Sequence, residues 1–140
     1  MKKVLIPFDG SHNALRAVQY AATLSQEKPA LELQLLCVLE PMPLRSQAGL
    51  DHAEIDRLYF AEAATVMEPA RQTLHQYGIS CEQHYRVGDA ATEIAAQVRE
   101  KDITAVIMGT RGMGRMANLM IGSVATGVVH LVHVPVTLIK

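Results

Sequence analysis

Short apolar runs alternate with longer blocks of helical periodicity along this chain, and that alternation restricts the fold more than any single residue does. Val4 to Phe8 is an apolar run that stops at Asp9-Gly10-Ser11. A helix fits from about His12 to Gln26: Leu15, Val18, Ala22 and Ser25 lie near helical spacing, and Ser11 is placed to cap it. Pro29 breaks the chain. Leu31 to Leu39 begins by alternating and becomes continuously apolar, as a strand entering a sheet core does. Pro41, Pro43 and Gly49 mark a loop, and a long helical block follows from about Asp51 to Tyr77, ended by Gly78 at the C′ position. Pro69 inside that block predicts a kink or two segments. Ile79 to Val87 reads as a strand whose Glu82, Gln83, His84 and Arg86 suit a sheet edge. Asp89 caps a helix to about Lys101, Ile103 to Met108 is the next strand, Ser123 to His133 the last helix, and Pro135 to Ile139 the last strand. Strands that alternate with helices in this way form a parallel sheet with helices on both faces. Ligands of such sheets bind beyond the carboxyl ends of the strands, where the strand order reverses. If the first and fourth strands are neighbours at that reversal, Asp9 and Gly109 face one crevice.

The stretch Met108 to Ala125, MGTRGMGRMANLMIGSVA, lies between a strand and a helix. It sets Gly109, Gly112 and Gly122-Ser123 in a G-x2-G-x9-G-S pattern and adds Gly114. Glycines let a backbone approach an anion closely, and a helix N-terminus offers free N–H groups and the positive end of its dipole. These glycines, with Arg111 and Arg115, exceed what a turn requires, so phosphate is the expected ligand. Ser123 sits where its hydroxyl caps the helix or meets a phosphate. The chain has no G-x4-G-K-[ST], which excludes a P-loop NTPase. Gly112 to Ala117 matches G-x-G-x-x-A, but it follows the fourth strand and has no acidic residue about twenty positions on, which counts against a dinucleotide site. Asp9 is placed either to accept from ribose hydroxyls and help hold a metal on phosphates, or to form an Asx turn before the helix.

Other constellations are weaker. His130 and His133 are spaced i, i+3, but histidines in a last helical turn favour the negative end of the helix dipole without any metal. His12 reads as helix surface, and Met113, Met116 and Met120 as packing for the loop. Cys37 and Cys81 fall at opposite ends of their strands, so they read as small apolar side chains in a reduced compartment and not as a disulfide. No Ser/His/Asp set, Cys/His set or carboxylate pair stands out for catalysis. At 140 residues and 49% apolar composition the chain is expected to be one domain over residues 1–140 with a real core. A net charge of -1 argues against nucleic acid as a main partner. With no apolar run of about 18 residues, no membrane span is expected. Asp9 interrupts the apolar run after Lys2-Lys3, so the opening reads as a strand and not a leader, and a cytoplasmic protein is the expectation.

Taken together, the loop GTRGMGRMANLMIGS, the opening KKVLIPFDGS and the closing HVPVTLIK resemble the universal stress protein family over the whole chain. The resemblance implies a Rossmann-like, adenine nucleotide α-hydrolase-like α/β domain with an open five-stranded parallel sheet of order 3-2-1-4-5. The family divides into an ATP-binding class and a class lacking the glycine motif, and the intact motif groups this chain with the ATP binders. By position, the resemblance implies that Pro7 and Asp9 lie beside adenine and ribose and that Val38 meets adenine through its backbone. Met108 and Gly109 floor the site, and Gly112, Gly122, Ser123 and Val124 hold the phosphates; Arg111 falls where members vary. It further implies a homodimer through the last strand, here Val134 to Ile139, an apolar edge suited to pairing about a two-fold axis.

The expected function is that of an ATP-binding, nucleotide-dependent stress-response or signalling factor, with magnesium on the phosphates and at most slow hydrolysis, because the motif supplies no general base. One rival is an adenine-nucleotide-using enzyme such as an adenylyl-transferring ligase. Such ligases carry H-x-G-H or S-G-G-x-D-S near the first strand, where this chain has Phe8-Asp9-Gly10-Ser11-His12. The other is an interaction module with a vestigial site, which no nucleotide would stabilise.

Overall fold

A computed structural model describes residues 2–111 and 121–140. Chain order is β1 (Lys3–Pro7), α1 (His12–Glu27), β2 (Glu32–Leu39), α2 (Leu44–Gln47), α3 (His52–Gln76), β3 (Glu82–Val87), α4 (Ala90–Glu100), β4 (Ala105–Gly109), α5 (Ser123–Leu131) and β5 (Val136–Ile139). The strands form one parallel sheet of order β3-β2-β1-β4-β5, so β1 and β4 are neighbours and the strand order reverses beside them. Register runs from Lys3 opposite Glu32 to Pro7 opposite Leu36 on one side of β1, and Leu5 lies opposite Val106 on the other.

Alternation along the strands divides the core in two. Val4, Ile6, Leu33, Leu35 and Cys37 point to the face covered by α1 and α3. Leu5, Leu36, Val106 and Met108 point to the face covered by α4 and α5. Fully burying a side chain such as Leu5 or Ile6 contributes about 2 kcal/mol, so the central strands hold the sheet together. Small residues on α1 (Ala14, Ala17, Ala21, Ala22) are buried and let that helix lie close to the sheet.

Helix ends follow from local chemistry. The Ser11 hydroxyl accepts from Ala14 N–H at 3.1 Å to open α1. Asp51 and Glu54 form a reciprocal capping box at the start of α3. At its end, Gly78 at φ +72° and the Ile79 N–H, bonded to Leu74 O at 2.9 Å, close a Schellman turn. Asp89 caps α4 through the Thr92 N–H and hydroxyl, and those bonds hold its carboxyl below the usual range.

Two expectations need correction here. Of the kink or two segments expected at Pro69, the two-segment alternative is not found: α3 is one helix through it, because Met67, Ala70 and Leu74 on either side of the exposed proline are buried against the sheet. That packing offsets the roughly 3 kcal/mol that an interior proline costs. α5 ends at Leu131, so His133 lies beyond the helix and does not share its last turn with His130. The loop around Pro43 also contains the short helix α2, which was not anticipated.

The expected edge position of β3 is observed, and its charged side chains on the α4 face join a polar network. Gln97, 2% exposed, donates to Gln34 Oε1 at 2.8 Å and accepts from Arg86 at 3.1 Å. Gln34 in turn donates to Glu82 at 3.2 Å. Among the described residues no buried side-chain nitrogen or oxygen lacks a partner. On the same face α4 and α5 approach closely at Gly127, where a Cβ would lie 2.7 Å from the Ala91 methyl. No described helix is long and apolar enough to cross a membrane.

Candidate functional site

Beyond the carboxyl ends of β1, β2 and β4 lies a cleft of ≈ 180 Å³. β1 delivers Pro7, Phe8 and Asp9 to it. The Phe8 N–H bonds Leu36 O at 2.8 Å, which carries the β1–β2 pairing past the end of β1. The chain then turns sharply at Gly10, whose φ of +87° favours glycine. In that turn Asp9 Oδ1 accepts from the Ser11 N–H at 2.9 Å, which is the Asx geometry anticipated from sequence. Asp9 nevertheless remains exposed on the cleft, with its second carboxylate oxygen available to a ligand.

The opposite wall is the start of α5. Gly122 is its N-cap in extended conformation and, as a glycine, brings no side-chain cap to the helix start. The first turn contains no acidic residue, and the first intrahelical bond is Thr126 N–H to Gly122 O at 3.0 Å. The Ser123, Val124 and Ala125 N–H groups precede that bond, and these residues line the cleft. Unspent N–H groups at the positive end of a helix dipole attract an anion. Exposed Arg111 adds a positive charge at the same wall. Half-buried Val38 on β2 and Ala90 and Ile94 on α4 make an apolar side, so the cleft is greasy at one end and rich in N–H donors at the other.

Of the residues expected at a nucleotide site, Pro7, Asp9, Val38, Met108, Gly109, Arg111, Gly122, Ser123 and Val124 all line this cleft. Gly112, Gly114 and Arg115, like Met113, Met116 and Met120, lie outside the described residues. Gly109 has a reason to be glycine that the motif does not reveal. A Cβ there would sit 2.8 Å from Asn13 Cβ and 2.9 Å from the Asn13 carbonyl carbon, so its bareness serves the approach of α1. Sequence reasoning missed Thr110, Ala125, Ala90 and Ile94. Thr110 and Ala125 adjoin residues already singled out, whereas the α4 residues are brought in by tertiary packing alone.

The cleft holds one carboxylate, that of Asp9, and no group of three His, Cys, Asp or Glu side chains suited to a metal occurs among the described residues. A divalent cation fits here only if it arrives on phosphates, with Asp9 as a further oxygen ligand. Burial, then the nearby charges of Glu62 and Asp9, push the Cys37 thiol up to about 11. Burial pushes Cys81 to about 11 as well, and both cysteines are free. Both shifts disfavour the thiolate form of these cysteines.

The sheet order and the crevice at its reversal define an open, doubly wound α/β domain. The sequence pattern of the Universal stress protein family matches residues 1–140, and the chain belongs to that family. It is 28% identical to the universal stress protein YxiE of Bacillus subtilis, over 99% of this chain and 98% of the relative. It superposes with a TM-score of 0.82 on the solved structure of MJ0577 of Methanocaldococcus jannaschii, at 27% identity over 99% of this chain and 95% of that one. The fold also matches a universal stress protein from Archaeoglobus fulgidus solved in complex with dAMP, with a TM-score of 0.71, 23% identity, and coverage of 100% and 98%.

Proposed function

We propose that this chain binds ATP, carried with Mg2+, in the cleft between β1, β4 and the start of α5, and that it acts as a nucleotide-dependent stress-response or signalling factor. The observation that carries the reading is the opposition of Asp9 to the uncapped N-terminus of α5 across one cleft. A carboxylate suits ribose hydroxyls or a phosphate-bound cation, and free helix N–H groups suit phosphate oxygens. The apolar side at Val38 and Ile94 suits a base. The dAMP complex of the Archaeoglobus relative supports an adenine nucleotide as the ligand class. Gly112, Gly114 and Arg115 belong to the same proposal through the motif.

The mechanism is binding first. Phosphate oxygens satisfy the α5 N–H groups and Arg111, and the surface formed by these elements changes for a partner. Asp9 is the one carboxylate among the described residues that line the cleft, and this reading commits it to ribose or a phosphate-bound cation, so no described side chain is left to activate water and hydrolysis is slow at most. The test is a thermal-shift titration of purified protein with ATP–Mg2+ together with a turnover assay. A ligand that binds the native state alone stabilises it by about 2.7 kcal/mol at a hundred times its Kd. A rising melting temperature with negligible turnover is the expected result. No shift at millimolar ATP would favour a vestigial site, and fast saturable turnover would favour an enzyme.

The assembly proposed is a homodimer through 134–139. β5 is the edge strand beyond β4, with Val136 and Leu138 half-buried, and its outer backbone groups are positioned to pair with a second copy. Light scattering is expected to give twice the 15.3 kDa chain mass. Pro135 and Ile139 carry bonds to β4 and to Thr110 just past it, so the alternate residue Val136 turns its N–H outward; replacing Val136 by proline removes that outer N–H and is expected to shift the mass toward that of a single chain. An unchanged mass would move the interface elsewhere.

A further inference from the structure

We propose that Thr110 is the positioning residue of the phosphate end of this site, acting through the start of α5; the inference rests on the nucleotide reading above. Thr110 lines the cleft, is 5% exposed, and has three parts of the fold bonded to it. Its N–H donates to Ile139 O at 2.8 Å, which ties it to the end of β5. Its carbonyl accepts from the Gly122 N–H at 2.6 Å, which ties it to the residue that opens α5 and pinches the base of the segment 111–121. Its hydroxyl oxygen accepts from Asn13 Nδ2 at 3.1 Å, which ties it to α1.

The third bond is itself anchored. Asn13 is 8% exposed, and its Oδ1 accepts from the Arg16 guanidinium, which also donates to the Lys140 carbonyl. Asn13 is pressed against Gly109, the residue before Thr110, where no Cβ would fit. The side-chain bond from Asn13 therefore fixes the orientation of the peptide whose carbonyl holds Gly122. Turning that peptide re-aims the Ser123, Val124 and Ala125 N–H groups that follow. The adenine end, bounded by Val38 on β2, is across the cleft and shares none of these bonds.

Hence the Thr110 hydroxyl sets affinity for phosphates and not for the nucleoside. Thr110→Val keeps the shape and both backbone bonds but removes the oxygen that Asn13 holds. Affinity for ATP–Mg2+ and for adenosine is measured by calorimetry on the full chain, with Thr110→Ser as the conservative control. Thr110→Val is expected to weaken ATP–Mg2+ by about tenfold, the scale of one buried hydrogen bond, while adenosine changes by less than about twofold. Thr110→Ser restores ATP–Mg2+ binding. If Thr110→Val does not fold, Asn13→Ala removes the same bond from the other side and is judged by the same split. Equal losses for ATP–Mg2+ and adenosine, or unchanged binding of both, overturn the inference while the nucleotide reading stands. If the unmodified chain binds neither compound, the nucleotide reading fails and the inference falls with it.

Discussion

Replacing Gly109 by valine is expected to destabilise the protein by about 3 kcal/mol or more, the upper range for forcing extra atoms into a packed interior. The reason is geometric. The first added atom would lie 2.8 Å from Asn13 Cβ, 2.9 Å from the Asn13 carbonyl carbon and 3.0 Å from the Ala14 nitrogen. Two of those three are backbone atoms of α1, which cannot rotate away as a flexible side chain does. Relief requires α1 to lift from β4, and α1 carries Ala14, Ala17, Val18, Ala21 and Ala22 of the larger core. Urea unfolding measures the effect: the midpoint should fall with the slope unchanged. A loss under about 1 kcal/mol would mean that α1 is seated less tightly than the structure has it.

Gly122→Val should do the reverse, sparing the fold and removing the ligand. Here the added Cβ would be 3.3 Å from Thr110 O and 3.4 Å from Arg111 Cα, tight but tolerable after small shifts. Gly122 is buried, but the added atom is only a few tenths of an ångström too close, so circular dichroism and the urea midpoint should change little. Those shifts, however, pry at the Gly122–Thr110 bond and set a branched side chain at the N-cap, where a phosphate would approach. Losing two charge-assisted N–H contacts at about 1.5 kcal/mol each predicts about a hundredfold weaker ATP–Mg2+ binding. Affinity within about threefold of the parent would mean that phosphate is not held at this helix start.

These two glycines show how far the sequence can be read. The G-x2-G-x9-G-S spacing locates both correctly at one cleft, because a strand end and a helix start are local features. It does not distinguish their reasons, because Gly109 answers to α1, nearly a hundred positions earlier in the chain. The same division runs through the fold. The alternation of strand and helix, the caps at Ser11, Asp89 and Gly78, and the polar edge strand are written in neighbouring residues. The continuity of α3 through Pro69 is not, because long-range burial of Met67, Ala70 and Leu74 decides it. Nor is Thr110 marked by any pattern: its importance is the sum of bonds to β5, α5 and α1.

The buried amide pair of Gln34 and Gln97 has a consequence for what else the chain could become. Leucine at both positions would fill similar space, but leucines pack acceptably in several rotations of α4 about its own axis. Amides do not: any rolled or slipped seating leaves a dry, unpaired group, at about 1–3 kcal/mol each. Gln97, held by Gln34 and by Arg86, therefore works as a key that fits one orientation. It removes competitors to the native arrangement more than it deepens the native well. Ala90 and Ile94, which wall the cleft, ride on that same helix. The contour offered to a ligand is thus inherited from a lock on the far side of the sheet's strand reversal, and drift at position 34 or 97 would blur the cleft before it melted the protein.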